Sequence, residues 1–382
     1  MQASRRIFTL GATLALLSAC GSGAARFRAP TTVRRDDTLP SAPNPGWDAW
    51  VAAFKGRAAA QGISTGVIDS AFRGAGFLPG VIERDRNQTE FKRSLEEYLS
   101  IAASEERVAK GRANFAAQRT TLARIEDRYG VEAHVVAAVW GLESFFGERR
   151  GNIPVISAVS TLAYEGRRGA FFEKQLIAAL KILQNGDTTP ANLTGSWAGA
   201  MGHTQFIPTS FELFAVDFTG DGRRDIWSDD PTDSLASTAA YLAKSGWQRG
   251  QPWGGQVGTP GSNIPGRQLQ PEPGGPVFVV GRNFDAIKRY NNSDSYAIGV
   301  GHLSDRILGG PPITGPFPPD QYGMRKNDRI ALQQRLTIAG FDTQGVDGVF
   351  GGNTRAAISA WQAANGLLVT GEPSLDLLRR LR

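Results

Sequence analysis

The chain has 382 residues, a formal net charge of +6 and a single cysteine. This length can bury a sizeable core and suggests two domains or more, while one cysteine excludes an internal disulfide among these residues. The basic residues are spread along the chain rather than clustered, which argues against a nucleic-acid partner and suits an anionic polymer.

The first residues have the pattern of an export signal. Two arginines precede an apolar stretch at 7–17, which is too short for a spanning helix of roughly 20 residues. The tetrapeptide Leu-Ser-Ala-Cys that ends at Cys20 is similar to a bacterial lipobox. We therefore expect a lipoprotein signal peptide at 1–19 and a lipid anchor on Cys20. An ordinary signal with an incidental cysteine is the alternative, and the export route, general or twin-arginine, stays open.

Composition divides the rest of the chain. Residues 20–46 are rich in Gly, Ala, Pro, Thr and Arg, which predicts a flexible tether. Apolar residues then recur at helical spacing from 47 to about 183, and helical patterns return after a Gly- and Pro-rich stretch at 248–281 that contains one predicted strand. The Pro/Gly density of 309–322 predicts a linker before a compact module. The fold class is therefore mainly α with a small β-containing insertion.

One carboxylate, Glu143, lies at the end of an apolar helical stripe. On a predicted helix over 132–146 it shares a face with Val139 and Trp140, four and three residues earlier. Apolar surroundings disfavour the charged carboxylate and raise its pKa, as a general acid at neutral pH requires. The alternative is a glutamate that points to solvent.

A second motif at 196–208 reads Ser-Trp-Ala-Gly-Ala-Met-Gly-His-Thr-Gln-Phe-Ile-Pro. Gly199 and Gly202 would let the backbone approach a sugar closely. The Gln205 amide both donates and accepts hydrogen bonds, as sugar hydroxyls and acetamido groups require. A tight packing loop, which small residues also favour, is the alternative.

A third motif at 217–225 reads Asp-Phe-Thr-Gly-Asp-Gly-Arg-Arg-Asp. Oxygen ligands alternate and Gly stands at position six, as an EF-hand-like calcium loop needs, but Ser228 replaces the glutamate of position twelve. Asp229 or Asp233 would have to close the shell. We expect a structural Ca²⁺ here and no organic cofactor, with an Asx-rich surface turn as the alternative.

The first two motifs resemble the membrane-bound lytic murein transglycosylase B family, of the glycoside hydrolase 103 type, which cuts peptidoglycan glycan strands. The turn Asp347-Gly-Val-Phe-Gly351 and the helix that follows it resemble the small three-helix peptidoglycan-binding domain. The resemblance implies a lysozyme-like catalytic domain at 47–308, a linker at 309–322 and a peptidoglycan-binding domain at 323–382.

The resemblance also implies the site. Glu143 would be the single catalytic acid and base, Ser196 would hydrogen-bond and orient its carboxylate, and Gln205 would bind saccharide near the cleaved bond. The expected glycan wall consists of Tyr241, Tyr290, Asn291 and Tyr296. A basic pair that could face peptide or muramoyl carboxylates is Arg167 and Arg168. The expected calcium ligands are Asp217, Thr219, Asp221, the Arg223 carbonyl and Asp233. His203 departs from the family, in which Tyr is usual.

The implied reaction cleaves the β-1,4 bond between N-acetylmuramic acid and N-acetylglucosamine and forms 1,6-anhydromuramoyl ends without consuming water. A water-using muramidase and a non-catalytic peptidoglycan-binding scaffold are the alternatives. Implied partners are glycan strands, the membrane through Cys20 and cell-wall synthesis proteins. Gly21 after the cysteine favours the periplasmic face of the outer membrane.

Overall fold

The computed structural model describes residues 39–86 and 93–381. The predicted signal peptide, Cys20 and most of the predicted tether lie outside the described residues. Within them, no helix is long and apolar enough to cross a bilayer.

The described residues are mainly helical, as the apolar periodicity predicted. The helices are α1 (Pro45–Ala60), α2 (Thr65–Phe72), α3 (Pro79–Arg86), α4 (Leu95–Ala102), α5 (Glu105–Ala117), α6 (Arg119–Tyr129), α7 (Ala133–Ser144), α8 (Val155–Glu165), α9 (Gly169–Gln184), α10 (Pro208–Phe214), α11 (Thr232–Lys244), α12 (Arg282–Tyr290), α13 (Asp294–Ile307), α14 (Lys326–Ile338), α15 (Gly352–Ala364) and α16 (Leu375–Arg380). Side-chain oxygens begin several of them: Ser94 accepts from the Glu97 amide while the Glu97 carboxylate accepts from the Ser94 amide, a capping box at the start of α4.

Two small antiparallel sheets interrupt the helices. Strand β1 (Ile153–Pro154) pairs with β2 (Thr194–Gly195), with Ile153 opposite Gly195. The Gly- and Pro-rich stretch forms a second sheet in the order β3-β5-β4, and the bounds of its strands are β3 (Gly254–Gln256), β4 (Arg267–Leu269) and β5 (Phe278–Val280). This sheet confirms the predicted β-containing insertion.

Two large apolar cores are formed by the helices of the first three hundred residues or so. The first is built mainly from α1, α2, α8 and α9, and Phe54 and Phe211 are fully buried in it. The second surrounds α7, whose Val136 and Val139 are fully buried against neighbours that include Leu303 of α13. Because α7 is apolar on every side, only its last turn can bring a carboxylate toward a surface.

The prediction of a flexible tether does not hold for its last residues, 39–46. Residues 39–46 pack on the first core: the Ala42 amide donates to the Phe77 carbonyl at 2.9 Å, and the Asn44 side chain caps α1 by accepting from the Trp47 amide at 3.0 Å. The physical reason is that polar capping and one backbone pairing order these residues despite their loop-like composition.

The predicted linker has neither helix nor strand, but it lies against the β-containing insertion. The Gln256 side chain donates to the Thr314 carbonyl at 2.8 Å and accepts from the Thr314 amide at 3.1 Å. Beyond it, α14, α15 and α16 enclose a small core that includes Leu332, Ile358 and Trp361. Trp361 is thus a core residue.

Gly301 provides a test of how closely α13 packs on the insertion. A Cβ at Gly301 would lie 2.3 Å from the buried Trp253 ring. We expect Gly301→Ala to lower the free energy of unfolding by about 1–3 kcal/mol, measured by urea denaturation. Gly56→Ala is the matched control, since Gly56 lies inside α1 with open space around it, and it should stabilise the protein by up to about 1 kcal/mol. Equal effects of the two substitutions would contradict this packing.

Candidate active site

Glu143 lies in the last turn of α7, on the face that the sequence predicted. The helix ends there because Phe145 and Phe146 adopt left-handed backbone angles, with φ of 53° and 60°. Their rings are buried, 5 % and 6 % exposed, so packing holds a conformation that bulky residues rarely adopt. The turn leaves Glu143 partly exposed at the edge of an otherwise buried helix.

The environment of Glu143 has the physical properties of a general acid. Burial raises the pKa of Glu143 to about 7, and a hydrogen bond from Tyr296 opposes this rise. The Tyr296 hydroxyl donates to Glu143 Oε1 at 2.5 Å. At neutral pH the carboxyl group therefore exists in both protonation states, which is the condition for donating and then accepting a proton.

The charge of Glu143 contributes to raised pKa values at two further tyrosines, Tyr98 and Tyr290. Burial raises the pKa of Tyr98, on α4, to about 12, and the Glu143 charge adds to the rise. Burial raises the pKa of Tyr290 well above its ordinary value, again with the Glu143 charge as the second cause. Tyr290 belongs to the predicted glycan wall, but Tyr98 does not, because its only signal in the sequence is its place in an apolar stripe.

Ser196 does not have the contact that was predicted for it. Its Oγ accepts from the amides of Ala198 and Ala200, at 3.3 and 3.1 Å. Among the described residues, the hydrogen bond recorded for the Glu143 carboxylate comes from Tyr296 instead. The Ser196 hydroxyl thus stabilises the turn of its own loop, because two nearby amides lack helix or strand partners.

Two glycines of the second motif, Gly199 and Gly202, pack closely against other parts of the chain. A Cβ at Gly202 would lie 2.2 Å from the Ile226 carbonyl oxygen, and a Cβ at Gly199 would lie 2.6 Å from Val159. Both residues also have positive φ, 70° and 82°. The predicted alternative of a tight packing loop therefore holds at these two positions.

Gln205 is held rigidly by the same loop. Its φ of 54° is left-handed, and its Nε2 donates to the carbonyls of Arg150 and Gly202 at 3.0 and 2.9 Å. With its nitrogen so engaged, the side chain can offer Oε1 to a sugar hydroxyl or an acetamido N–H.

His203, the departure from the family pattern, connects α7 to this loop. Its Nδ1 accepts from Trp140 Nε1 at 3.2 Å, so its Nε2 is the protonated nitrogen and donates to the Ser228 carbonyl at 2.8 Å. Burial lowers the pKa of His203, so the ring is neutral. The Ser144 hydroxyl donates to the His203 carbonyl at 2.5 Å. The histidine thus fixes the loop beside the turn that follows Glu143.

Tyr241 and Tyr290, two residues of the expected glycan wall, form an aromatic cluster with Phe206, the residue after Gln205. The two ring centroids are 4.7 Å apart, and each ring contacts Phe206. The Tyr290 hydroxyl donates to the Thr204 carbonyl at 2.5 Å, and the Tyr241 hydroxyl donates to a main-chain carbonyl of α12. Because both hydroxyls have main-chain partners, these tyrosines would meet a glycan mainly with their rings. Asn291 is exposed directly after α12.

The predicted basic pair is bound to a buried acid. Arg167 and Arg168 both contact the carboxylate of Asp85, which is 2 % exposed, and Arg168 Nη2 lies 2.8 Å from Asp85 Oδ1. Their guanidinium groups remain about half exposed. No contact with Glu143, Gln205 or the aromatic cluster is recorded for this pair within the described part of the chain.

The third motif does not gather its predicted ligands. Asp217 accepts from the amides of Gly220 and Gly222 at 2.6 and 2.8 Å, and Asp233 accepts from three loop amides, among them that of Phe218. Within residues 39–86 and 93–381, no cluster of three acidic, histidine or cysteine side chains is arranged to hold a metal ion. In this arrangement the loop is an amide-bonded turn, although its oxygen donors have the chemistry that Ca²⁺ prefers.

Two family models match the chain. The transglycosylase SLT domain matches residues 46–272 and 262–305, which carry Glu143 and the loop that contains Gln205. A peptidoglycan-binding domain matches residues 325–381. Together the matches cover most of the residues that the structure describes.

Solved structures and a curated relative agree with these matches. SltB3 from Pseudomonas aeruginosa, solved with NAG-NAM-pentapeptide, is 43 % identical and covers 89 % of this chain and 100 % of its own, with a TM-score of 0.70. SltB1 from the same organism is 30 % identical over 68 % of this chain and 98 % of its own, with a TM-score of 0.60. Membrane-bound lytic murein transglycosylase B of Escherichia coli is 37 % identical over 123 residues, 32 % of this chain and 34 % of that protein.

The last match spans about a third of the curated relative's length. The SltB3 match, at 89 % of this chain, extends over both the catalytic domain and the C-terminal module. The solved structures confirm the lysozyme-like helical core that the resemblance implied. The chain belongs to the transglycosylase SLT domain family of lytic transglycosylases and carries a peptidoglycan-binding domain.

Proposed function

We propose that the protein cleaves the β-1,4 bond between N-acetylmuramic acid and N-acetylglucosamine in peptidoglycan and leaves a 1,6-anhydromuramoyl end. The observation that carries this proposal is the single carboxylate of Glu143, with its pKa near 7 and its hydrogen bond from Tyr296. The family membership and the peptidoglycan fragment bound to SltB3 support the substrate class.

A single carboxylate must act twice in this reaction. Protonated Glu143 donates its proton to the glycosidic oxygen as the bond from the muramoyl anomeric carbon to that oxygen breaks. The N-acetyl group of the substrate can stabilise the positive charge that develops at this carbon. Ionised Glu143 then takes the proton from the C6 hydroxyl, whose oxygen attacks the anomeric carbon and closes the anhydro ring. The Tyr296 hydrogen bond stabilises the ionised form between these steps.

The electrostatics of Glu143 support one carboxylate rather than two. A glycosidase that uses a carboxylate pair places the two groups about 5–10 Å apart, and at the short end of this range a second negative charge would raise the pKa. Within the described residues, burial raises the pKa of Glu143 and no other carboxylate contributes. This argues against a second carboxylate close to Glu143, and a muramidase that activates water with a more distant group is distinguished by its reaction product.

The remaining parts of the proposal concern location and partners. We propose that Cys20 carries a lipid that anchors the protein at the periplasmic face of the outer membrane, and that the module at 323–382 holds peptidoglycan. The lipobox-like sequence supports the anchor, and the match at 325–381 supports the module. Gln205, Asn291, Arg167, Arg168 and the aromatic cluster are proposed to bind the glycan. Cell-wall synthesis proteins are proposed as further partners.

We also propose that the loop at 217–233 binds calcium as a structural ion. Asp217 and Asp221 are exposed, and a carboxylate has about four lone-pair sites, so bonding to loop amides leaves acceptor capacity. The E. coli lytic transglycosylase Slt35, whose structure was solved in complex with calcium, is 24 % identical to this chain. Asp217, Thr219, Asp221, the Arg223 carbonyl and Asp233 would hold the ion, and its role would be to fix the loop.

The product of digestion tests the reaction. We expect the purified protein to release, from isolated peptidoglycan, muropeptides that are lighter by one water and lack a reducing muramic end, measured by mass spectrometry. Glu143→Gln should lower the rate at least about a hundredfold, because the amide cannot shuttle a proton, while pelleting with the cell wall is retained. Reducing ends would favour the muramidase, and binding without release would favour the scaffold.

The pKa of Glu143 predicts how stability depends on pH. The folded carboxyl group binds its proton more tightly than the unfolded one, so its contribution to the free energy of unfolding falls as pH rises from about 4.5 through about 7. As pH rises from 5 to 8.5, we expect the free energy of unfolding of Glu143→Gln, relative to that of the wild type, to increase by about 2–3 kcal/mol. Urea denaturation at the two pH values measures this difference. Glu83→Gln, at an exposed position on α3, is the control. A pH-independent difference at Glu143 would refute the proposed burial.

Calcium binding predicts a ligand-dependent stability. Calcium at about a hundred times its dissociation constant should raise the free energy of unfolding by about 2–3 kcal/mol, and Asp217→Asn should remove this gain. Asp342→Asn is the control, because Asp342 also accepts from an amide two residues later in an exposed turn. Identical unfolding curves with calcium and with a chelator would show that the loop is only a turn.

A further inference from the structure

The C-terminal module rests on the catalytic domain through a buried arginine. Arg329 of α14 is 1 % exposed, yet its guanidinium reaches the first turn of α4. Nη2 lies 2.7 Å from Glu96 Oε2, Nε lies 3.9 Å from Glu97 Oε1, and Nη1 lies 3.3 Å from Asp320 Oδ2. The contact therefore joins a module residue, a linker residue and two catalytic-domain residues in one ionic cluster.

The position of this arginine is set from both sides. Within the module, its Nε donates to the Gly348 carbonyl at 2.7 Å and its Nη1 donates to the Met324 carbonyl at 3.2 Å. The planar guanidinium thus has its donors directed at once into the module and at α4. Because removing one partner of a buried ion pair leaves an uncompensated charge, this cluster strongly disfavours other orientations of the module.

The start of α4 is held by a third contact. Glu272, from the Gly- and Pro-rich insertion, accepts from the Leu95 amide at 2.7 Å, and the Ser94–Glu97 capping box closes the same turn. The insertion and the module therefore meet at residues 94–97, which begin one short helix.

The same helix reaches the catalytic acid. Tyr98 follows Glu97 directly, and its ring packs on α13 at Gly299, where a Cβ would lie 2.8 Å from Tyr98 Cε1. Gly299 is three residues after Tyr296, the donor to Glu143. Burial and the Glu143 charge both raise the pKa of Tyr98. A displacement of α4 would therefore change the packing around the Glu143 carboxylate and the access of water to it.

We propose that the C-terminal module positions the catalytic acid: through the Arg329–Glu96 contact it holds α4 and Tyr98 against α13, and so sets the geometry of Tyr296 and Glu143. The module is then a structural part of the active site in addition to its wall-binding role. Arg329 and Glu96 are positioning residues, and their proposed effect on turnover rests on the proposed function.

A flexibly tethered anchor would behave differently. If the module were only such an anchor, breaking its contact with α4 would at most reduce digestion of insoluble peptidoglycan, since a soluble fragment needs no anchoring. A positioning module affects turnover of a soluble fragment as well. The two roles therefore separate when the substrate is a soluble peptidoglycan tetrasaccharide.

The test uses the full chain with Glu96→Gln, which removes the charge from the catalytic-domain side and leaves the interior of the module unchanged. We expect kcat on the tetrasaccharide to fall about tenfold with a smaller change in KM, and wall pelleting to be retained. Glu173→Gln is the matched control, because Glu173 forms an ion pair with Arg57 on α1, within the catalytic domain, and it should leave kcat unchanged.

A second readout does not depend on turnover. The pKa of Glu143, followed by NMR of the carboxyl carbon, should fall by about one unit in Glu96→Gln, because water gains access as α4 loosens. Arg329→Gln should shift it in the same direction, and the double variant should add little to either single change. An unchanged Glu143 pKa and unchanged kcat in Glu96→Gln would overturn the proposal, whether or not the wild type forms anhydro ends.

Discussion

The active site depends on keeping the carboxyl group of Glu143 largely out of water. Ionising a buried acid costs free energy, and here the cost is large enough to raise its pKa to about 7. The Tyr296 hydrogen bond offsets part of the cost and fixes one oxygen. A fully solvated carboxylate could not donate a proton at neutral pH, and an isolated buried one could not readily lose it. The reaction needs both conditions at one group.

The chain reaches this condition through constraints around the end of α7. The helix is buried on every side, and two left-handed phenylalanines end it directly after Glu143 and Ser144. Neutral His203 ties the loop at 196–208 to Trp140 of α7 and to the Ser228 carbonyl. Strained backbone of this kind persists only where surrounding packing holds it. The site is thus rigid before any sugar arrives, which limits the reorganisation needed during the reaction.

Sequence reasoning succeeded where the pattern is local. Helical periodicity predicted the mainly α fold and the helix face that carries Glu143, because both depend on spacing along one helix. It failed where a contact joins distant segments. The hydroxyl of Ser196 stabilises its own turn, and Gly202 is required by the carbonyl of Ile226. Tyr98, from another helix, faces the charge of Glu143. Motif composition carries no information about which distant atoms approach a residue.

The ionic contact between the module and α4 is a costly way to join two domains. Burying Arg329 with carboxylates gains little over an apolar surface of equal size, since desolvation cancels much of the attraction. What it adds is orientation, because a guanidinium with fixed donor directions accepts few arrangements. An apolar patch would tolerate sliding of the module across the first turn of α4. A module that served only as a wall anchor would not need a fixed orientation. A module that holds α4, and through it the packing around the Glu143 carboxyl group, does need one.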